Sequence, residues 1–175
     1  MKKLKHRKNK KIKSNPSLII RKIRKGDEKD FLNLVNALAD YEKLKRPDSE
    51  AAKRLIRDGF GRRKRFDAFL AFLDSKPVGY AIIFETYSSF LALPTLYLED
   101  IFISPDYRSQ GIGWKLFKTC LKEAKRRGCG RMEWVVLNWN KKAIQFYKRI
   151  GARHLSEWLT FRLGQNKIKS LLQKQ

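Results

Sequence analysis

The chain has 175 residues, enough for one domain with a proper core and short for two. Its 42% hydrophobic and 12% aromatic content excludes a wholly disordered chain. The 41 Lys and Arg against 17 Asp and Glu give a formal net charge of +24, a field that attracts anions and repels free polycations unless acids cluster locally.

Residues 1–17 carry eight Lys or Arg, no acid and almost no apolar surface, so a disordered basic tail is expected there, either a solvated extension, an arm making weak nucleic-acid contact or a targeting signal. The folded domain is expected over residues 18–175. An apolar-rich run from Leu18 to Arg24 reads as a first strand. Asp27 stands where a helix N-cap belongs, with Asp30 at the third helical position. Phe31, Leu34, Val35 and Leu38 follow at helical spacing and predict one buried face. A second short helix spans Ser49 to Arg57 and ends at Gly59-Phe60-Gly61.

Phe66 to Leu73 and Val78 to Tyr87, separated by Asp74-Ser75-Lys76-Pro77, read as an antiparallel hairpin. After a loop near Pro94, residues 96–103 (LYLEDIFI) form another β-rich run. The period then turns helical: Ile112, Leu116, Cys120 and Ala124 recur every four residues, and Gly128 stands where a C-terminal glycine is expected. Residues 131–137 (RMEWVVL) read as a strand, and Ala143, Phe146, Tyr147 and Ile150 share one side of a helix stopped by Gly151. A final pair of strands around Arg153 to Leu163 and a short polar C-terminus complete the pattern. Helices set between strands favour a mixed α/β sheet. Cys120 and Cys129 are poorly disposed for a bridge, and no apolar run is long enough to cross a bilayer, so a cytoplasmic protein without membrane attachment is expected.

The stretch from Ser104 to Gly113 carries the most chemical information. Glycines at a strand-to-helix junction let backbone N–H groups converge on one point, and the helix start adds its positive dipole end, which suits phosphate; the plain alternative is a tight turn. A nucleoside triphosphate loop would end in Lys-Ser/Thr, and a dinucleotide fingerprint would need a third glycine and a downstream acid; both are missing. Asn140 precedes a helix and reads equally as its N-cap. Tyr147 on an apolar face reads as core. Glu99 and Asp100 occupy adjacent strand positions and so point to opposite faces, leaving at most one for a substrate.

RSQGIG (108–113) fits the Arg/Gln-x-x-Gly-x-Gly/Ala motif of the GNAT superfamily of N-acetyltransferases. With LYLEDIFISPDYRSQGIG, WN at 139–140 and AIQFYKRIGA (143–152), the chain resembles the diamine acetyltransferase branch, the spermidine/spermine acetyltransferases and their bacterial relatives, from about Leu18 to Leu163. The resemblance implies the GNAT fold, acetyl-CoA as cosubstrate, a small-molecule amine as acceptor and a homodimer. It implies that the main chain at Ile101, Phe102 and Ile103 pairs with the pantetheine arm. It places the pyrophosphate on Arg108, Ser109, Gln110, Gly111, Ile112, Gly113 and Trp114, with further coenzyme contacts from Asn140, Ala143 and Tyr147.

By the same resemblance Tyr147 is the general acid at the sulfur, and Glu99 removes the amine's proton. Tyr41, Glu42 and Glu99 would bind the amine, and Glu133 and Trp134, on the strand predicted to neighbour Glu99, would join them. No metal is expected. The loop from Ser88 to Leu93 lacks the acid by which polyamine enzymes grip the far end of their substrate, which favours a shorter diamine or lysine-like acceptor. The alternatives are a protein acetyltransferase acting on lysines or N-termini, and a nucleic-acid-binding module on a GNAT-like fold.

Overall fold

The computed structural model describes residues 16–173, so the expected basic tail lies, apart from Pro16 and Ser17, outside the described residues. Strand β1 (Leu18–Lys22) is followed by helices α1 (Glu28–Glu42) and α2 (Ser49–Phe60), then strands β2 (Asp67–Leu73), β3 (Lys76–Ser88) and β4 (Leu93–Ile103). A 3-10 turn at Pro105–Tyr107 leads to α3 (Ile112–Arg126), β5 (Arg131–Glu133), α4 (Lys141–Arg149) and α5 (Gln165–Leu172). The chain forms two compact units, one up to Val135 and one from Val136 onward.

In the first unit the five strands lie in the order β1-β2-β3-β4-β5, antiparallel throughout except for the parallel pair β4–β5. The parallel step needs a crossover, which α3 supplies. The β2–β3 turn is two residues long: Leu73 pairs with Lys76, and Asp74 (φ 49) and Ser75 (φ 67) both take the left-handed conformation that lets so short a hairpin match strand twist.

One core lies on the face that carries Ile23, Phe31, Leu34, Ala68, Leu70, Phe72, Tyr80, Ile82 and Phe102, with residues of α1 and α2 packed against it. Phe31 is fully buried and meets Tyr80 edge-on, with ring centroids 5.7 Å apart. On α3 the buried residues are Ile112, Leu116, Phe117, Cys120 and Ala124, the four-residue stripe that its sequence predicts plus Phe117.

Five expectations change. Asp27 occupies the N-cap position of α1 but caps nothing with its side chain; its carboxylate instead accepts two hydrogen bonds from Arg21, at 2.6 and 2.9 Å, and one from the Arg24 N–H. That arrangement holds the Asp27 carboxyl below its ordinary range, chiefly through the Arg21 hydrogen bond. The strand expected over 131–137 stops at Glu133, and residues 153–163 form no strand among the described residues. An apolar pattern specifies a strand only where another strand supplies the hydrogen bonds, and none pairs with these residues. The C-terminus, expected as a short polar segment, contains helix α5, whose apolar residues Ile168, Leu171 and Leu172 are exposed. On α4 the half-buried side is Ala143, Ile144, Phe146 and Tyr147, with Ile150 beyond the helix end and exposed.

Candidate active site

The site begins with an irregularity in β4. Ile82 pairs with Asp100 and the next residue, Ile83, pairs with Leu98, so Glu99 is an extra residue without a partner on β3. The bulge reverses the side-chain alternation. Asp100 shares a face with Ile82 and the core beneath α1, whereas Leu98 sits with Ile83 on the other face.

β4 is also only partly covered on its second edge. β5 pairs with Thr95, Leu96 and Tyr97 and goes no further. From Leu98 to Ile103 that edge therefore has no strand partner among the described residues, an extended backbone ready to pair with an extended ligand.

Just past this open edge the chain makes a sharp turn. Tyr107 and Arg108 N–H groups donate to the Ser104 and Pro105 carbonyls, and Ser109 (φ 61) and Gly111 (φ 76) are left-handed. Helix α3 then starts without a side-chain cap, its first backbone bond running from Lys115 N–H to the Gly111 carbonyl at 3.1 Å. A Cβ built on Gly111 would meet nothing within 4 Å. The amides of a helix start thus open on space at the end of an unpaired strand, which is the donor arrangement a diphosphate and its extended arm require. The residues Ile101 to Trp114 fit coenzyme A on this ground. Gln110 turns its amide to the Asp106 carbonyl at 3.3 Å.

The second half of the site is acidic. The Tyr80 hydroxyl donates to Asp100 Oδ2 at 3.0 Å. Burial pushes the Asp100 carboxyl up to about 6 against the lowering effect of that bond, and the charges of Glu99 and Glu42 push it further. Tyr80 is wholly buried, and burial followed by the Asp100 charge raises its phenol far above the ordinary range, so it stays a neutral donor. Burial also raises the Glu42 carboxyl, at the last residue of α1. Among the described residues, Glu42, Glu99 and Asp100 make no ion pair, in a chain with 41 Lys and Arg. Nine other acids do take cations, with Asp67, Glu85 and Glu123 all around Arg127, while Glu28, Asp30, Asp48, Asp74 and Asp106 also make no ion pair among the described residues; Glu42, Glu99 and Asp100 stand apart in that the charges of the first two act on the third.

Of the expected amine-site residues, Tyr41 and Glu42 end α1 beside this cluster, the Tyr41 ring 6.2 Å from that of Phe102. Glu99 is exposed at the bulge. Glu133 and Trp134 are placed otherwise: Glu133 lies opposite Tyr97 rather than Glu99 and pairs with Arg131 at 2.9 Å, and Trp134 packs edge-on against Phe117 of α3. In the second unit Asn140 caps α4, its Oδ1 accepting from the Ala143 N–H at 3.3 Å, and Tyr147 is half-buried with its ring against Phe146.

Asp100 and Tyr80 are the residues that sequence reasoning passed over. Tyr80 carries no motif, and adjacent Glu99 and Asp100 are ranked only once the bulge shows which of them faces the core.

The profile of the Acetyltransferase (GNAT) family matches residues 31–152. The chain is 36% identical to a thialysine N-epsilon-acetyltransferase of Sus scrofa over 169 residues, covering 90% of this chain and 99% of that protein. It is 40% identical to an L-ornithine N5-acetyltransferase of Arabidopsis thaliana over 93 residues, 53% of this chain and 41% of that protein. Among solved structures, an aminoglycoside N-acetyltransferase in complex with CoA superposes with a TM-score of 0.72 at 18% identity, covering 87% of this chain and 98% of that one. The chain therefore belongs to the acetyltransferase (GNAT) family, and it is an N-acetyltransferase that uses acetyl-CoA as cosubstrate.

Proposed function

We propose that the acceptor is the terminal amine of a short cation, a diamine or a lysine-like amino acid, and that Glu42, Glu99 and Asp100 bind it. The observation that carries this reading is the group of three carboxylates left without cations in a protein of net charge +24. A protein with this field repels a cationic substrate unless such a group awaits it. The relatives named for thialysine and L-ornithine act, by those names, on amino acids with a side-chain amine, which supports the same class. The lack of acid between Ser88 and Leu93 supports a short acceptor over a long polyamine.

Acetyl-CoA supplies the activated thioester; the chain holds it on the open edge of β4 and on the main-chain amides from Ser109 to Trp114. The acceptor arrives protonated, and making it neutral at pH 7 costs about 4.6 kcal/mol for a pKa near 10.4. Glu99, exposed at the bulge, takes that proton, directly or through water, and a main-chain N–H beside it steadies the developing oxyanion. Asp100 and Glu42 hold the second, cationic end. Tyr147 Oη returns a proton to the departing sulfur, with Asn140 and Ala143 as further coenzyme contacts. Cytoplasmic location and a homodimer belong to the same proposal; among the described residues no helix is long and apolar enough to cross a membrane.

Acetyl transfer to 1,4-diaminobutane, L-ornithine, a lysine analogue, spermidine and a basic peptide tests the acceptor class. A short diamine or amino acid is expected to lead in kcat/KM, whereas a tenfold preference for spermidine or the peptide contradicts the proposal. For Tyr147→Phe, kcat is expected to fall about a hundredfold, within the range for one general acid, with acetyl-CoA affinity nearly unchanged. Unchanged turnover removes Tyr147 from its role.

A further inference from the structure

Arg108 takes a position that is unexpected for a residue placed in a coenzyme motif. Its guanidinium carbon lies 4.1 Å from the centroid of the Tyr41 ring and 5.6 Å from that of Phe102. Its Nε–H donates to the Ile103 carbonyl at 2.8 Å. No carboxylate is paired with it among the described residues. The charge of Arg108 is thus held on two ring faces and one carbonyl, although unpaired acids stand on the same side of the sheet.

This arrangement has two consequences. Arg108 leaves the turn after β4, and Tyr41 ends α1, so the guanidinium ties the coenzyme turn to the helix end that carries Glu42. A planar guanidinium can stack flat on a ring while its edge N–H groups donate in the guanidinium plane; an ammonium offers no plane to stack, so it holds the ring less firmly. Holding the guanidinium there also keeps it from neutralising Glu42 or Asp100, so the carboxylates remain available to the amine.

Resting on the acceptor reading above, we propose that Arg108 is a positioning residue for the amine site: it fixes Tyr41, and through it the end of α1 with Glu42, against β4, and so sets affinity for the cationic acceptor rather than for the coenzyme. The role belongs to the stack on the Tyr41 ring.

The test is steady-state kinetics with 1,4-diaminobutane and direct acetyl-CoA titration on wild type, Arg108→Lys, Tyr41→Phe, Tyr41→Leu and the double variant Arg108→Lys/Tyr41→Leu. Arg108→Lys and Tyr41→Leu are each expected to raise the diamine KM about tenfold, with kcat and the acetyl-CoA Kd within threefold of wild type. Tyr41→Phe, which keeps the ring, should lose less amine affinity than Tyr41→Leu, and the double variant should be no worse than the poorer single one. A loss of coenzyme affinity in Arg108→Lys matching its loss of amine affinity overturns the proposal, because Arg108 then binds the coenzyme. Effects that multiply in the double variant also overturn it, because the two side chains then act separately. A wild type that binds acetyl-CoA but acetylates no short amine sinks the acceptor reading and this role with it; an active wild type with multiplying variants sinks the role alone.

Discussion

Burial raises the Asp100 carboxyl to about 6, from an ordinary value of 3.8, so folding favours its protonated form between those two values. The sign follows directly. This group's contribution to stability is greatest at low pH and is lost as pH rises through the window from 3.8 to about 6. A shift of about two units corresponds to about 3 kcal/mol at most at neutral pH. Asp100→Asn keeps an acceptor for the Tyr80 hydroxyl and removes the charge. Chemical denaturation at pH 8 should therefore find the variant as stable as wild type or more so, while its use of the amine falls; marked destabilisation at pH 8 contradicts the assigned environment. Asp27 behaves oppositely. Arg21 lowers its pKa, so its contribution is full above the unfolded value and is lost as pH falls through the folded one. Asp27→Asn is expected to cost about 2 kcal/mol at pH 7, measured by denaturant titration, because charged hydrogen bonds are lost from a buried position.

At the scale of elements, the site depends on how β3 holds β4. Gly79 pairs with Ile103, and a Cβ there would fall 2.4 Å from Ile103 Cδ1 and 2.6 Å from the Phe102 carbonyl oxygen. Gly79→Ala is expected to cost about 2 kcal/mol and to weaken acetyl-CoA binding, since the displaced backbone is the stretch proposed for the pantetheine arm. Thermal unfolding and coenzyme titration check both; a variant as stable as wild type contradicts this packing.

The elements up to α3 were largely legible from sequence, because Phe31, Leu34 and the Leu116–Cys120–Ala124 stripe are periodic and the Asp74-Ser75 turn is local. The bulge at Glu99 was not legible, since register belongs to two strands together. The predicted pair of strands after Arg153 failed for the same reason, a strand being defined by its partner. In the candidate site, the turn from Arg108 to Gly113 announced itself through its glycines, whereas the Tyr80–Asp100 contact joins residues 20 apart that no motif links.

For the whole molecule, charge is the governing quantity. A net charge of +24 favours the phosphates of a coenzyme and opposes a cationic acceptor at long range. The acid cluster resolves that conflict locally, while Arg127 collects Asp67, Glu85 and Glu123 into a network elsewhere in the same unit. The eight cations among residues 1–15 are not needed for this scheme. A chain lacking residues 1–15 should acetylate small amines as wild type does, and loss of that activity contradicts the separation of tail from site.

Selection of a cationic acceptor by unpaired carboxylates is measured most directly by comparing kcat/KM for 1,4-diaminobutane and n-butylamine at saturating acetyl-CoA. Wild type should favour the diamine at least tenfold, and Asp100→Asn combined with Glu42→Gln should remove most of that preference while still turning over n-butylamine. Equal use of the two amines by wild type, or a preference that survives loss of both charges, contradicts the account.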